Sequence, residues 1–477
     1  MLLNTWFVYK EIYIGLLIPI AGILLLMYIF SLDNVLLLAV FVTPIAINLG
    51  DYDFGVSISV PSEPLLIGIL FFLVLKILVE GGVGRGIVRH PVTIAILFNL
   101  SWMLITAITS DIPVVSLKYF LSQLWFIVPV YFGGLMLFRA KINIRKFVWA
   151  YATSLVIVVL YTTWTHMGFG FSEKAGHWIM TPFYNDHTAY GAVLALLIPV
   201  ILGIASDTTL SRKQRVLAVI TAFIFLLGLF LSYSRAAWVS AGFAVVVLVL
   251  VKLHIRFRWI VVSTVAFLVI FFAFKVEILD KLEKNKQDAS ANFIEHIQSV
   301  ANISSDASNL ERINRWQAAL RMFSEKPVLG WGPGTYQFEY APFQQRNEKT
   351  VISTNFGNRG NAHSEYIGPL AESGVLGLLS MLFLVITVVY TGLKVYKKAA
   401  SHQTRLMALS ATLGLLTYFV HGLMNNFLNT DKASVPFWGL VACIVALDLY
   451  YTSDEKGCNS SAPVKKKYPL KHRRYLD

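Results

Sequence analysis

The stretch that organises this chain runs from Ser308 to Gly377. It opens with SNLERINRWQAALRMFSEKPVLGWGPGTYQFEY (308–340) and closes with GNRGNAHSEYIGPLAESGVLG (357–377). It belongs to a long hydrophilic interval in an otherwise apolar chain, and the interval ends at His363, where an apolar run follows. We therefore interpret it as a segment that is held outside the membrane and returns to it at His363.

The composition indicates a membrane protein. The 477 residues are 56% hydrophobic and 14% charged, with a mean hydropathy of +0.64. Soluble domains carry about 25% charged residues. Apolar runs recur along the chain, and about 20 such residues cross the hydrocarbon core as a helix. Because a spanning segment must satisfy its backbone hydrogen bonds internally, these runs predict helices, and the fold class is an all-α polytopic integral membrane protein.

The apolar runs predict twelve or thirteen transmembrane helices. The candidate spans are 12–30, 33–49, 64–79, 92–109, 114–138, 148–165, 189–205, 216–232, 236–251, 259–274, 374–393, 406–424 and 435–452. The first run is longer than a signal-peptide core and lacks a small-residue cleavage site, so we expect it to be retained. Pro44 makes the second run the candidate for a re-entrant or interfacial segment.

The net charge of +13 reflects membrane topology rather than nucleic-acid binding. Lys and Arg cluster in short linkers that alternate with linkers nearly free of them, as the positive-inside rule requires. If the basic linkers are cytoplasmic, residues 275–362 form a large loop on the outer face. Thirteen spans would also place the N-terminus outside, so the span count depends on the second run.

The predicted organisation has four parts. N-terminal transmembrane helices occupy 1–274, the large outer loop 275–362, C-terminal helices 363–452 and a basic cytoplasmic tail 453–477. Within the loop, apolar residues from Ile313 to Phe323 recur at helical spacing, Lys326-Pro327 ends that helix, and a glycine-rich turn follows at 330–334. The two cysteines imply no disulfide framework or metal site.

His363 is the candidate catalytic residue. Asn361 is a plausible N-cap, which would place His363 in the first turn of a helix, where the backbone dipole favours a neutral ring. A neutral imidazole at the membrane surface can accept a proton. Pro369 is expected to kink this helix. The alternative is an interfacial histidine with no chemical role.

Three arginines are candidates for anion binding. Arg235 sits in a short polar break, LSYSRAAW (231–238), between two apolar runs, where a guanidinium close to hydrocarbon marks a functional site and suits a lipid phosphate. Arg312 and Arg315, three residues apart on the loop helix, could complete a diphosphate clamp. The alternatives are an arginine that snorkels to the headgroups and a solvated helix face.

Other side chains have accessory roles at most. Glu365, Glu372 and His421 lie near the outer ends of the predicted spans, as does His187, and Trp331 could stack on a sugar, although packing or an interfacial belt explains these residues equally well. No metal, nucleotide or dinucleotide motif is present in the sequence, so we expect no cofactor and no metal ion.

Three motifs in order resemble the O-antigen ligase and polymerase superfamily of bacterial membrane glycosyltransferases. They are SRAAWVS (234–240), similar to an Arg-x-x-x-Leu element with Val239 in place of leucine, then ERINRWQAALRMFSEKPVLGWGPGTY (311–336), and His363 followed by Gly374 in a His-x10-Gly element. Specific likeness covers about a fifth of the chain, and the remainder agrees only in hydropathy.

The resemblance implies a GT-C-like fold in the bacterial inner membrane with the active site facing the periplasm. It implies metal-independent, inverting transfer of a glycan from an undecaprenyl-diphosphate carrier to a hydroxyl of lipid A–core, a glycan or another surface acceptor. His363 would be the general base, and Arg235 and Arg312 would hold the diphosphate. The expected partners are these substrates and membrane lipids, not nucleic acid.

Two alternatives stay open at this point. A polymerase of the same superfamily would extend carrier-linked repeat units, and the sequence does not separate it from a ligase because the donor site is common to both. A lipid-glycan flippase is less favoured, since that class has charged residues within its spans and short loops, whereas these spans are poor in charge.

Overall fold

The computed structural model describes residues 17–52, 57–80, 82–255, 307–346 and 360–452. The helices up to residue 176 are α1 (Leu17–Phe30), α2 (Leu32–Val42), α3 (Ser62–Glu80), α4 (Arg85–Val88), α5 (Pro91–Ile108), α6 (Pro113–Ile127), α7 (Gly133–Leu137), α8 (Lys141–Gly168) and α9 (Glu173–Gly176). The later helices are α10 (His187–Ser206), α11 (Arg212–Leu231), α12 (Arg235–Lys252), α13 (Ala307–Glu325), α14 (Tyr336–Glu339), α15 (Ile367–Lys398), α16 (His402–His421) and α17 (Asp431–Ala446). Turns of π-helix at Val128–Phe132 and Leu447–Tyr451 extend α6 into α7 and prolong α17.

The all-α membrane fold class is confirmed. In the described part of the chain, nine helical segments are long and apolar enough to cross a membrane: Ser62–Val79, Pro91–Ile108, Pro113–Leu137, Lys141–Gly168, His187–Ser206, Arg212–Leu231, Arg235–Lys252, Ile367–Lys398 and Asp431–Tyr451. The predicted span 259–274 and the beginning of the span 12–30 lie outside the described residues. This chain is a multi-pass membrane protein.

The predicted span 406–424 corresponds to α16, which does not belong to that group of apolar helices. It is largely buried, and it packs against α10, α12, α15 and α17. Several of its hydroxyl groups donate to carbonyl oxygens of the same helix, as Thr412 does to Ala408 and Thr417 to Gly414. A helix surrounded by protein in this way can carry more polar residues than one that faces lipid.

The second apolar run, 33–49, is interrupted in the way that Pro44 predicts. Helix α2 ends at Val42, and a 3-10 turn at Thr43–Ile45 contains the proline. Two short antiparallel strands follow, β1 (Ile47–Asn48) and β2 (Ser59–Val60). The Lys432 ammonium donates to the carbonyl oxygens of Thr43 and Ala46, so the break in the run is held by the first turn of α17.

The loop helix predicted from Leu310 is confirmed as α13, which ends at Glu325, directly before Lys326-Pro327. It packs on α15, and a small apolar cluster lies at the contact: Ala319, Met322, Trp331, Tyr336, Tyr340, Ala362 and Ala371. This cluster is separate from the main transmembrane core. It fixes α13 and the glycine-rich turn against the segment that carries His363.

Candidate active site

His363 lies in a tight turn before α15 rather than in the first turn of that helix. Its backbone φ is +47°, a left-handed conformation that is uncommon for residues other than glycine. The Asn361 side-chain oxygen accepts a hydrogen bond from the His363 backbone N–H at 3.0 Å. Asn361 therefore stabilises the turn, and the expected N-cap role and dipole effect were wrong. Strain of this kind is often found at functional sites.

Arg315 is the closest charged neighbour of His363. Its Nη1 lies 3.2 Å from the His363 Nε2 and donates to the Asn361 carbonyl oxygen at 3.1 Å. Its Nε donates to the Glu311 carboxylate at 2.9 Å. The residue is only 8% exposed. The helix face that the sequence left open as solvated therefore points inward, and Arg315 contacts the candidate base directly.

The surroundings of Arg315 hold its guanidinium in place. The group packs flat against Gly360, where any Cβ would overlap it. The Tyr336 hydroxyl donates to the Arg315 carbonyl oxygen at 2.7 Å, and the Tyr340 ring centroid lies 5.8 Å from the guanidinium carbon. An arginine that is paired, stacked and backed by a glycine has little freedom to rotate.

The local electrostatics keep His363 neutral. Burial, with the positive charges of Arg315 and Arg312, lowers the pKa of His363 from 6.5 to about 4, while Asp186 and Glu311 oppose the shift. A histidine with this pKa is unprotonated throughout the physiological range and can act as a base. The sequence had predicted a neutral ring, but the cause is burial beside arginines rather than a helix dipole.

The glycine of the His-x10-Gly element has a steric role. Gly374 interrupts α15 with φ +67° and ψ −166°, so the kink predicted at Pro369 lies five residues later. Pro369 is in the first turn of α15, where a missing N–H removes no helix hydrogen bond. A Cβ at Gly374 would overlap the carbonyl oxygen of Val328, and the Val375 N–H donates to the Pro327 carbonyl at 2.9 Å. The break lets the 327–334 turn dock on α15.

Glu365 and Glu372 each fix a neighbouring loop. One Glu365 oxygen accepts hydrogen bonds from the Tyr418 hydroxyl at 2.7 Å and from the backbone N–H groups of Phe427 and Leu428 at 2.9 and 3.0 Å. Burial raises the pKa of Glu365, while these donors oppose the shift. Glu372 accepts from the Tyr336 N–H at 3.0 Å and so anchors the glycine-rich turn.

Trp331 is a packing residue in this structure. It is 8% exposed, its Nε1 donates to the Met322 carbonyl at 3.0 Å, and its ring lies edge-on to Phe343. The Lys326 ammonium sits 4.0 Å from the ring centroid. With its faces covered in this way, the indole favours packing over the sugar-stacking hypothesis.

Arg312 links the loop to the helix ends of the membrane domain. It lies within electrostatic reach of His363 and also of His187 and His421. His187 begins α10 and His421 ends α16, so the Arg312 charge acts where two membrane helices and the outer loop meet. The second half of the candidate clamp is therefore beside the candidate base.

Arg235 lies at the same end of the bundle, as the first residue of α12. Its neighbour Ala236 lies beside the His421 ring. Ser234 caps α12 and packs, with Ala237, against Gly191, one turn into α10. Arg235 thus belongs to the helix ends that surround Arg312, although its connection to His363 runs through His421 and Arg312 rather than through direct contact.

The sequence gave little weight to a cluster beside Arg312. Asp186 caps α10 by accepting from the Thr188 N–H and hydroxyl, both at 2.7 Å, and the His177 and His187 ring centroids lie 4.2 Å apart. Asp186 is within electrostatic reach of His363, His187 and His421. The signal available in the sequence was Asp186-His187 before an apolar run, a combination also expected of an ordinary helix cap.

Comparison with known proteins adds the family. Residues 220–382 match a family model described as O-antigen ligase. The chain belongs to the O-antigen ligase superfamily. No curated protein matches the chain. The O-antigen ligase region contains Arg235, Arg312, Arg315, His363 and Gly374, which are the residues that the geometry brings to the outer ends of the helices.

The O-antigen ligase family consists of membrane glycosyltransferase-like ligases and polymerases, and it implies lipid-linked glycan substrates and acceptors in general. Within the described residues, no group of three or more His, Cys, Asp and Glu side chains is placed to hold a metal ion. The positive and proton-accepting groups at the site are the arginines and the His363 ring. These groups can stabilise an anionic leaving group and accept a proton.

Proposed function

We propose that this chain is a glycosyltransferase that moves a glycan from undecaprenyl diphosphate to an acceptor hydroxyl, without a metal ion and with inversion at the anomeric carbon. The observation that carries the proposal is the placement of His363, neutral and half-buried, 3.2 Å from Arg315 and within reach of Arg312. A base and fixed positive charges at one site match the two demands of glycan transfer from a diphosphate.

The chemistry divides between the two kinds of side chain. His363 would take the proton of the acceptor hydroxyl as its oxygen bonds to the anomeric carbon. The bond between that carbon and the diphosphate oxygen breaks, and the leaving undecaprenyl diphosphate carries away the bonding electrons. Arg235 and Arg312 would bind the diphosphate and stabilise the negative charge that develops on it, an effect that is strong near low dielectric.

We place the reaction at the outer face of the bacterial inner membrane, facing the periplasm. The support is the distribution of Lys and Arg, which puts the ends of the helices opposite to the site in the cytoplasm. For example, α15 begins beside the site and ends with Lys397 and Lys398. The acceptor in this orientation would be lipid A–core or another surface glycan or protein.

A transfer assay with the purified protein tests the function. Undecaprenyl-diphosphate-linked oligosaccharide is the donor, and lipid A–core is the acceptor. We expect glycosylated acceptor, with the same rate in the presence of EDTA. A rate that falls with EDTA and returns with a divalent cation would contradict the metal-independent reaction, and no transfer to any hydroxyl acceptor would contradict the function.

The same assay separates a ligase from a polymerase, because both use the same donor site. Omission of lipid A–core leaves the carrier-linked donor as the sole possible acceptor. A ligase yields no longer chains in that reaction. Growth of chains on the carrier under these conditions would assign the polymerase activity instead.

A further inference from the structure

The contact between Arg315 and His363 fixes which ring nitrogen holds the proton. A guanidinium has only donors and keeps its charge at any accessible pH. The His363 Nε2, 3.2 Å from the Arg315 Nη1, must therefore be the lone-pair nitrogen that accepts this hydrogen bond. A neutral imidazole has one such nitrogen, so its hydrogen lies on Nδ1.

This tautomer has a consequence for a base. The Nδ1 already carries a hydrogen, and the lone pair on Nε2 is engaged by Arg315. In the structure His363 therefore has no nitrogen that can accept a proton from a third group. A substrate hydroxyl can be deprotonated by His363 only after the contact with Arg315 has opened.

The Arg315 guanidinium has hydrogen-bonding capacity left for an anion. Nε–H is used by Glu311, and the two hydrogens of Nη1 are used by Asn361 and His363. Among the described residues, no hydrogen bond is made by Nη2. A phosphate oxygen is a stronger acceptor for a guanidinium than a neutral imidazole, and it prefers two parallel N–H groups. The pair Nη1 and Nη2 is such a fork, and one arm of it now rests on His363.

We propose that Arg315 is a positioning residue that occupies the proton-accepting nitrogen of His363 until the diphosphate of the donor binds to its guanidinium. Donor binding turns the fork toward the phosphate and frees Nε2 for the acceptor hydroxyl. Because the base is available only when the leaving group is in place, the acceptor is activated after the donor has bound. This proposal rests on the proposed function, since it assigns a role within the same site.

The groups facing His363 are consistent with a switch centred on Arg315. Arg315, Arg312 and Glu311 face it from α13, and Asp186 faces it from the start of α10. Asn361 holds its backbone. Of these groups, Arg315 is the one whose printed side-chain hydrogen bond reaches the ring. Replacement of Arg315 should therefore free Nε2 without a change in the turn that presents the ring.

The test measures how fast His363 reacts with diethyl pyrocarbonate, which requires a free lone pair, by mass spectrometry of the labelled peptide. The reaction is run well above the ordinary pKa of histidine, with the purified full-length protein. Arg315→Gln should react roughly tenfold faster than wild type, since a hydrogen bond from a charged group is worth at least that factor. The control Arg321→Gln, on the same helix and bonded to the Phe343 carbonyl, should react at the wild-type rate.

The second arm adds farnesyl diphosphate as a short carrier, with farnesol as the uncharged control. In wild type, farnesyl diphosphate should increase the labelling of His363 and farnesol should not. In Arg315→Gln neither should increase it. Equal labelling of wild type and Arg315→Gln, or slower labelling of wild type with farnesyl diphosphate, would overturn the proposal.

These readouts do not depend on glycan transfer. If wild type transfers glycan but farnesyl diphosphate fails to increase labelling, the role of Arg315 fails and the proposed function stands. If labelling behaves as expected but no acceptor is glycosylated, the anion-controlled release of His363 stands and the proposed function fails. A fold-level effect of Arg315→Gln would change the labelling of other histidines as well, which the same spectra report.

Discussion

At the scale of single residues, the environment of His363 has two effects that work in opposite directions. Burial and the adjacent arginines keep the ring neutral, which a base requires. The hydrogen bond from Arg315 occupies the lone pair that a base uses. The strained backbone at His363, held by Asn361, fixes the ring where both effects apply.

The lowered pKa of His363 predicts an unusual dependence of activity on pH. The neutral form is the active one, and it persists until the pH falls to about 4, whereas an ordinary histidine would be protonated near 6.5. We expect the acid limb of kcat/KM, which reports the free enzyme, near that lower value. Arg315→Gln removes a positive neighbour, so its acid limb should move upward, although burial keeps it below 6.5. An acid limb near 6.5 in wild type would contradict this electrostatic description.

At the scale of elements, the site depends on how the loop docks on α15. The break at Gly374 admits the 327–334 turn, and Glu372 anchors that turn through the Tyr336 N–H. Glu365 anchors the opposite side, where α16 leads into α17. His363 lies between these two anchored regions, so its position follows from both.

Gly374→Ala should separate the loop from α15. The left-handed conformation costs a residue with a Cβ roughly 1–3 kcal/mol, and overlap with the Val328 carbonyl adds to it. We expect a lower thermal midpoint in detergent and loss of transfer. Gly368→Ala is the matched control, because a Cβ there meets only Ala362 at 3.8 Å. Equal midpoints for the two variants would show that the close approach at Gly374 is not needed.

Glu365→Ala should destabilise the junction between α15 and α16. It leaves the Tyr418 hydroxyl and the N–H groups of Phe427 and Leu428 without their common acceptor. Loss of hydrogen bonds to a charged group costs about 1.5–3 kcal/mol each when the donors stay buried. Thermal unfolding measures this loss, with the exposed Glu325→Ala as the control. A variant as stable as the control would remove Glu365 from the scaffold.

Local sequence patterns predicted the elements of the site better than their contacts. The spacing of apolar residues on α13 and the Lys326-Pro327 stop are local signals, and both were correct. The bond between Arg315 and His363 spans 48 residues, and nothing in either neighbourhood encodes it. Likewise, a proline is a recognisable helix breaker, whereas the left-handed Gly374 depends on a turn that packs against it, so the kink was placed at Pro369.

At the scale of the whole molecule, the site lies where several helix ends and the outer loop meet. The starts of α10, α12 and α15 and the end of α16 carry His187, Arg235, Glu372 and His421, and α13 brings Arg312 and Arg315 to them. The hydropathy and charge pattern predicted this side of the membrane for all of them. It could not predict which helix ends are neighbours, because that depends on packing within the bundle.

The predicted orientation can be measured with single cysteines. In a Cys458→Ser background, where Cys443 is buried, Gln317→Cys places a thiol on the exposed face of α13 and Lys213→Cys places one at the start of α11. A membrane-impermeant maleimide should label Gln317→Cys in intact spheroplasts and Lys213→Cys only after permeabilisation. The reverse pattern would put the site in the cytoplasm and exclude acceptors on the outer surface.

The most direct test of the central claim is the transfer rate of His363→Gln with purified protein and undecaprenyl-diphosphate-linked donor. The exposed His402→Gln, at the other end of α16, is the matched control. Loss of a general base should slow transfer by roughly 10²–10⁴-fold. We therefore predict that His363→Gln binds the carrier as wild type does but transfers glycan slower by that factor, while His402→Gln is unaffected. A His363→Gln enzyme that transfers at the wild-type rate would contradict His363 as the base.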